Sequence, residues 1–170
     1  MNSVRLLLLD RDGTINRSAQ RGRYVTDPAE VELLNGVGPA IARFNRAGIP
    51  VVVATNQQGV ATGKMTMRDV QAVNETIAQL LLQHGAHIDQ FLICPHREGT
   101  CDCRKPQPGL LITAMQEYGV DREGAVFVGD ADSDREAASA AGIRGIQVSE
   151  AGPLTTATVL DGLPIICSSS

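Results

Sequence analysis

The chain has 170 residues, 43% of them hydrophobic, and a formal net charge of −4 with histidine neutral. Its acidic balance argues against a nucleic-acid partner or an anionic membrane surface, and no apolar run approaches the roughly 20 residues of a transmembrane helix. We therefore expect one domain over residues 1–170, monomeric and, because the N-terminus lacks a signal-peptide layout, cytoplasmic.

The first predicted element is a buried strand, Leu6–Leu9, followed by two carboxylates, Asp10 and Asp12. Ligands of open α/β sheets bind beyond such strand ends, and Gly13 lets the backbone turn away sharply. Asp10 could attack an electrophile, while Asp12 could donate a proton to a leaving group. A calcium-type loop or an ordinary turn is the alternative for this motif alone. On a strand-like backbone Arg11 points away from both aspartates, which indicates a structural role.

The rest of the chain alternates between predicted helices and predicted strands. An irregular polar segment, residues 16–32, follows the first strand and is predicted to form a flap. Apolar periodicity, a capping box and terminal glycines then define the later elements. They are helices near 36–47, 66–85, 108–118, 133–142 and 155–160, and strands near 49–54, 90–93, 125–128 and 146–148. This order predicts an α/β fold, in which a central parallel sheet is flanked by helices on both faces, and no insertion is long enough for a large cap domain.

Four of these strands are followed by polar residues of complementary chemistry. In chain order they are Asp10 and Asp12, Thr55 and Asn56, Arg104 and Lys105, and Asp130 and Asp134. The carboxyl ends of parallel strands share one edge of the sheet, so these residues are expected to converge. Phosphoryl transfer requires this combination of nucleophile, hydrogen-bond donors, ammonium and cation ligands.

A hard cation would complete this predicted site. Mg²⁺ prefers oxygen ligands, and Asp10, the backbone carbonyl of Asp12 and Asp130 would be a sufficient protein set. Asp134 falls in the first turn of a predicted helix, where an acidic residue is favoured by the dipole, and we expect it to act outside the metal ligands.

These motifs resemble those of the haloacid dehalogenase (HAD) superfamily phosphatases. The matching segments are Asp10-Arg11-Asp12-Gly13-Thr14, Thr55-Asn56, Lys105 and Gly129-Asp130-x3-Asp134. The resemblance implies a Rossmann-like HAD fold and an aspartyl-phosphate intermediate on Asp10. It also implies that Asp12 protonates the leaving alcohol and then activates water, while Thr55 and Lys105 hold the transferring phosphoryl group.

A second metal site is predicted from closely spaced thiols and one imidazole. Cys94, His96, Cys101 and Cys103 offer a complete tetrahedral zinc set, with no position left for water, which indicates a structural Zn²⁺. Free cysteines beside a surface histidine are the alternative. Because this zinc-stabilised loop directly precedes Arg104 and Lys105, metal binding would fix the approach of both cations. The fourth cysteine, Cys167, stands apart in the tail.

The zinc loop also bears on the substrate. Cys-Pro-His followed by Cys-Asp-Cys-Arg-Lys-Pro resembles a subgroup of compact HAD members, the heptose-1,7-bisphosphate 7-phosphatases and the histidinol phosphatases. The segments Asp12–Asn16 and Thr55–Lys64 are more similar to the heptose-bisphosphate members. The resemblance implies a small sugar phosphate as substrate, whose retained phosphate would lie near Arg104. The predicted substrate contacts are Asn56, Arg104, Arg21, Arg23 and Tyr24.

Alternatives stay open both for the substrate and for the function. Because the zinc loop also resembles that of the histidinol phosphatases, histidinol phosphate is one alternative substrate. The flap segment 17–23 is longer and more basic than in the heptose-bisphosphate members, which leaves other small sugar phosphates open as well. An alternative of another class is a zinc-containing module that binds a phosphorylated ligand without catalysis.

Overall fold

Five parallel strands alternate with helices in the computed structural model, which describes residues 3–165; Cys167 lies outside the described residues. The strands are β1 (Leu6–Leu9), β2 (Val51–Asn56), β3 (Gln90–Cys94), β4 (Ala125–Gly129) and β5 (Arg144–Gln147). The α-helices are α1 (Val37–Arg46), α2 (Met67–Leu82), α3 (Gly109–Tyr118), α4 (Asp132–Ala141) and α5 (Thr156–Gly162). The predicted α/β alternation is confirmed.

The central position of β1 determines where the site forms. The strands are ordered β3-β2-β1-β4-β5 and every neighbouring pair is parallel, with Leu8 aligned to Val52 on one side and Phe127 on the other. All four leucines of β1 are fully buried. The carboxyl ends of β1, β2, β3 and β4 therefore meet along one edge, with Asp10 in the middle.

Two apolar clusters cover the two faces of the sheet, as predicted. Leu7 and Leu9 pack with residues of α1, α2 and α5, whereas Leu6 and Leu8 pack with residues of α3 and α4. Because alternate side chains of a strand point to opposite faces, this one tetraleucine supplies both cores. Burial of apolar surface contributes about 25 cal/mol per Å² to the free energy of folding. Because β1 is buried on both faces, this contribution holds in place the strand that directly precedes Asp10.

The boundaries of β2 to β5 differ from the predicted ones by one or two residues, and two of these differences have a clear cause. β2 continues through Thr55 and Asn56, because these residues pair with Ile93 and Cys94 of β3. β5 begins at Arg144, two residues before the predicted start, and its residues are largely exposed at the sheet edge. An edge strand held by pairing on one side needs little apolar character, which explains why its start was missed.

The flap forms the longest irregular connection in the described part of the chain. It joins β1 to α1 and contains a short 3₁₀ helix, Pro28–Glu30. Within residues 3–165 no insertion forms a separate cap domain, as the sequence predicts. No helix in the same range is long and apolar enough to cross a membrane.

Candidate active site

A buried lysine joins two carboxylates at the carboxyl edge of the sheet. Lys105 Nζ lies 2.7 Å from Asp10 Oδ1 and 2.6 Å from Asp134 Oδ1. Burial alone would lower the pKa of Lys105, but the charges of Asp10 and Asp134 outweigh burial and raise this pKa above its usual value. The two carboxylates therefore favour the charged ammonium form of Lys105. The ring of Phe127 on β4 lies beneath it, with its centroid 5.3 Å from Nζ.

The backbone of Lys105 is fixed by the amide side chain of Asn56. Asn56 Nδ2 donates to the Lys105 carbonyl at 2.9 Å, and the Lys105 N–H donates to Asn56 Oδ1 at 3.0 Å. Asn56 lies at the end of β2, directly beside the loop that carries the lysine, and these two hydrogen bonds position that loop. Asn56 also lines the catalytic cavity, and its predicted contact with substrate stays a prediction.

The predicted catalytic residues line one small cavity. Its volume is about 250 Å³, enough for a phosphoryl group. The lining residues are Asp10, Asp12, Thr55, Asn56, Lys105, Asp130, Ala131, Ser133 and Asp134. Ser133 was not singled out in the sequence, because a serine near a helix start is a common structural feature.

A cluster of three carboxylates forms one wall of this cavity. Single oxygens of Asp10, Asp130 and Asp134 all lie within 4.8 Å of one another. Gly13 makes this approach possible: its φ is +82°, and a Cβ atom there would lie 2.2 Å from Asp130 Oδ2. Asp134 also accepts a hydrogen bond from the Ala131 N–H at 3.0 Å. Both of its oxygens therefore have partners, which leaves Asp10 and Asp130 to face a cation.

The charge balance of the cluster favours a divalent cation. Three carboxylates face a single ammonium. Burial raises the pKa of Asp10 to about 8, since the opposing effect of Lys105 is partly cancelled by repulsion from Asp134 and Asp130. Burial and repulsion from Asp134 likewise raise the pKa of Asp130. A hard cation with oxygen ligands would stabilise both carboxylates in their ionised form, so these residues fit Mg²⁺.

Asp12 is held by three side chains, one of which contradicts the sequence analysis. Arg11 Nε and Nη2 donate to the two Asp12 oxygens at 3.2 and 3.0 Å. Asn16 and Gln57 donate to the same carboxylate at 2.9 and 3.0 Å. The expectation that Arg11 points away from Asp12 is wrong, because β1 ends at Leu9 and the chain bends at Arg11, so the long side chain can return to its neighbour.

Thr55 is oriented by the same glutamine. Gln57 Nε2 donates to Thr55 Oγ1 at 3.0 Å as well as to Asp12. Because Thr55 Oγ1 accepts the hydrogen bond from Gln57, the proton of the Thr55 hydroxyl stays available. Thr55 can therefore donate a hydrogen bond to an oxygen of a ligand in the cavity. Gln57 lies within Thr55–Lys64, the segment that resembles the heptose-bisphosphate members, but it was not predicted as a site residue; its position two residues after Thr55 could have indicated this role.

The predicted zinc ligands come together in the loop between β3 and α3. The sulfur atoms of Cys94, Cys101 and Cys103 lie 3.2–3.6 Å apart, and His96 Nδ1 lies 3.5 Å from Cys94 Sγ and 3.2 Å from Cys103 Sγ. These separations approach the edges of a tetrahedron with zinc–sulfur bonds of about 2.3 Å. Burial and the two neighbouring thiols raise the pKa of Cys103 to about 12. Three thiolates coexist at this spacing only around a cation, so the donor set fits Zn²⁺.

The predicted substrate contacts in the flap lie apart from the catalytic cavity. Arg23 and Tyr24 line a second cavity of about 500 Å³ together with Lys64, whereas Arg21 is not among its lining residues. Lys64 Nζ lies 5.9 Å from the centroid of the Tyr24 ring. Arg104 lines neither cavity, although its Nη1 is buried without a hydrogen-bond partner among the described residues. The contacts of these side chains with substrate stay predictions.

Known proteins resemble this chain in both sequence and fold. A family described as HAD-hydrolase-like matches residues 102–159. The D-glycero-beta-D-manno-heptose-1,7-bisphosphate 7-phosphatase of Pseudomonas putida is 39% identical over 147 residues, which cover 85% of this chain and 82% of that protein. The chain belongs to the HAD-like phosphatases.

Further relatives of this HAD-like phosphatase support the same membership. The Escherichia coli K12 protein of the same name is 36% identical over 149 residues, covering 83% of this chain and 76% of its own. A crystal structure of D,D-heptose 1,7-bisphosphate phosphatase from B. bronchiseptica, complexed with magnesium and phosphate, has a TM-score of 0.80 and 34% identity. It aligns with 95% of this chain and 89% of its own. The predicted family is confirmed.

Magnesium binding should strengthen as the pH rises. Because burial holds the pKa of Asp10 near 8, Mg²⁺ must displace a proton from this carboxyl below that pH. Between pH 6 and pH 8 the affinity should rise by up to about tenfold per pH unit, as linkage to one proton requires. Isothermal titration calorimetry at pH 6, 7 and 8 measures this change. The Mg²⁺ affinity of Asp10→Asn should not change with pH in this way. A wild-type Mg²⁺ affinity that is equally independent of pH would contradict the assignment of Asp10 as a magnesium ligand that must first lose a proton.

Removing one thiol should remove the zinc. Cys101→Ser takes a ligand from a four-member set, so zinc content and phosphatase activity should fall together. Metal analysis of the purified protein and a phosphate-release assay measure both. Cys167→Ser is the matched control, since it leaves all four predicted ligands in place and should keep zinc and activity. Full activity in a zinc-free Cys101→Ser protein would show that the cluster does not order the Lys105 loop.

Proposed function

We propose that this protein removes the 7-phosphate of D-glycero-D-manno-heptose 1,7-bisphosphate through an aspartyl-phosphate on Asp10. The observation that carries the proposal is the single cavity that Asp10, Asp12, Thr55 and Lys105 share beside a carboxylate cluster. The names of the relatives supply the substrate. The small cavity fits the transferring phosphoryl group, while the rest of the substrate would extend toward the flap.

In the first half of the reaction Asp10 attacks phosphorus. Its second oxygen is paired with Lys105, so the attacking carboxylate has a fixed direction. The ammonium of Lys105 and the hydroxyl of Thr55 stabilise negative charge on the phosphoryl oxygens as the ester bond breaks. Asp12 gives its proton to the leaving alkoxide, which departs as an alcohol. The product of this step is the aspartyl-phosphate.

In the second half Asp12 is a carboxylate and accepts a proton from water. The oxygen of that water attacks phosphorus, and the bond between phosphorus and the Asp10 oxygen breaks to release phosphate. Asp12 returns to its protonated form and Asp10 to its ionised form. Asp10, Asp130 and the backbone carbonyl of Asp12 would hold Mg²⁺, whose charge would reduce the repulsion between the Asp10 carboxylate and the phosphate.

The substrate's second phosphate would be bound by Arg104. Its Nη1 is buried without a partner among the described residues, and its backbone N–H donates to Cys101 Sγ at 3.4 Å. A guanidinium suits a phosphate because it offers two parallel donors. The zinc cluster would thus fix the distance between the binding sites of the two phosphates. Arg21, Arg23 and Tyr24 are proposed to contact the sugar from the flap.

We place this activity in the cytoplasm, in a monomer of one domain. Free thiols that bind zinc are compatible with a reducing compartment. The proposed substrate is a small molecule, and the net charge of −4 does not favour a nucleic-acid partner.

Replacing the nucleophile should abolish turnover without unfolding the protein. Asp10→Asn keeps the shape of the side chain but removes the attacking charge, so kcat should fall by about a thousandfold or more. Phosphate release, zinc content and the midpoint of thermal unfolding are measured on the same preparation. Zinc content should stay at the wild-type value and the protein should remain folded. Turnover retained by Asp10→Asn would refute the aspartyl-phosphate mechanism.

The substrate preference should separate a bisphosphate phosphatase from its relatives. We expect kcat/KM for the heptose bisphosphate to exceed that for histidinol phosphate by several hundredfold, or about 3–4 kcal/mol in transition-state free energy. Phosphate release with Mg²⁺ is measured for both heptose bisphosphate anomers, heptose 7-phosphate and histidinol phosphate. Arg104→Met should lower kcat/KM for the bisphosphate and leave the value for heptose 7-phosphate nearly unchanged. A preference for histidinol phosphate would overturn the proposed substrate.

A further inference from the structure

Arg11 is the largest fully buried side chain among the described residues, and its environment is unusual for a cation. Its guanidinium has no exposed surface. A buried charge is tolerated only when it is paired and its donors are satisfied. Two donors meet the oxygens of Asp12, and Nη1 donates to Asn74 Oδ1 at 2.9 Å. Asn74 is thus the neutral acceptor that completes the environment of Arg11.

Asn74 occupies a position where the helix pattern predicts an apolar residue. It lies on the buried face of α2 and is 6% exposed; its buried companions there are Val70, Val73, Ile77 and Leu81. Asparagine is a poor helix former, and a buried amide costs free energy unless it forms hydrogen bonds. Packing of α2 alone does not explain Asn74. The contact with Arg11 does.

Asn74 cannot act on a ligand in the catalytic cavity directly. It lines a separate groove between α2 and β3, with Gln71, Glu75, Ala78, Phe91 and Ile93, and is absent from the lining of the catalytic cavity. Any effect of Asn74 on the reaction must pass through Arg11. This separation makes the role of Asn74 testable without touching the phosphoryl group.

The contacts of Asp12 show what Arg11 contributes. Nε and Nη2 of Arg11 contact one Asp12 oxygen each, at 3.2 and 3.0 Å. Such a fork fixes the plane of a carboxylate as well as its position, which a single donor cannot do. Asn16 and Gln57 each add one donor, to opposite oxygens. The plane of Asp12 therefore depends on a guanidinium that is itself held in place by Asn74.

We propose that Asn74 and Arg11 are positioning residues, which direct Asp12 toward the leaving oxygen in the first step and toward water in the second. The inference rests on the proposed function, in which one proton moves from Asp12 to the alkoxide and another from water to Asp12. Each transfer needs an Asp12 oxygen within hydrogen-bond reach of its partner. A misdirected carboxylate slows both steps without weakening substrate binding, since the phosphoryl group is held by Lys105 and Thr55.

The test compares two substitutions of nearly equal size at Asn74. Asn74→Leu removes the oxygen that accepts the hydrogen bond from Arg11 Nη1, whereas Asn74→Asp keeps an oxygen at that position. For the heptose bisphosphate we expect Asn74→Leu to lower kcat by about tenfold to a hundredfold, the range for a misplacement near 1 Å, with KM unchanged within about twofold. Asn74→Asp should stay within about threefold of wild type. Gln71→Leu, on the same helix and groove, is the matched control and should equal wild type.

A burst experiment separates positioning from a merely structural role. p-Nitrophenyl phosphate has a weakly basic leaving group, so aspartyl-phosphate formation from it needs little help from an acid. Asn74→Leu should release p-nitrophenolate in a burst equal to the enzyme concentration, followed by slow turnover, because water activation still needs Asp12. A burst and a steady-state rate that fall together, in proportion to the folded fraction, would overturn the inference. So would an unchanged kcat in folded Asn74→Leu.

A second variant keeps the inference falsifiable if Asn74→Leu does not fold. Arg11→Lys retains the positive charge but loses the fork, and it should lower kcat at unchanged KM. Wild-type kcat in this variant would overturn the inference. These outcomes are distinct from a failure of the proposed function, which would appear as an inactive wild-type protein or an active Asp10→Asn variant.

Discussion

Crowding of negative charge around one buried ammonium is the constraint on which the site depends. Lys105 pairs with Asp10 and Asp134 at 2.7 and 2.6 Å, and Asp130 lies within 4.8 Å of both carboxylates. One ammonium cannot balance three ionised carboxylates in a buried site. The fold therefore maintains a local excess of negative charge that a divalent cation would neutralise. The same ammonium then remains available to the anionic group being transferred.

Much of the surrounding structure holds Lys105 in place. It follows an irregular loop with little apolar core, and three features confine it: the Asn56 amide on its backbone, the ring of Phe127 beneath Nζ, and the Cys/His cluster just before it. Gly109 lets this loop pack on α3, since a Cβ atom there would lie 2.3 Å from the Asp102 carbonyl oxygen. Bound zinc would provide the order that a larger hydrophobic core provides elsewhere.

The sequence predicts those parts of the structure that depend on local pattern. Asp10 could be placed at one edge of the sheet because it directly follows an apolar strand, and Lys105 because its loop follows another strand. The order of strands and helices predicted the parallel sheet. Arg11 was misjudged because its long side chain folds back onto its neighbour. The partner of Asn56 lies 49 residues away, and that of Arg11 lies 63 residues away at Asn74. Such pairs depend on tertiary packing, so single-residue chemistry could not identify them.

A crystal structure with Mg²⁺ and beryllium trifluoride, a mimic of the phosphoryl group, tests the central claim most directly. Beryllium should be bonded to an Asp10 carboxylate oxygen, with fluorine atoms in contact with Lys105 Nζ and Thr55 Oγ1. Mg²⁺ should lie between Asp10 and Asp130, with Asp134 still paired to Lys105. Beryllium trifluoride bound away from Asp10, or a Lys105 side chain turned out of the cavity, would contradict the account.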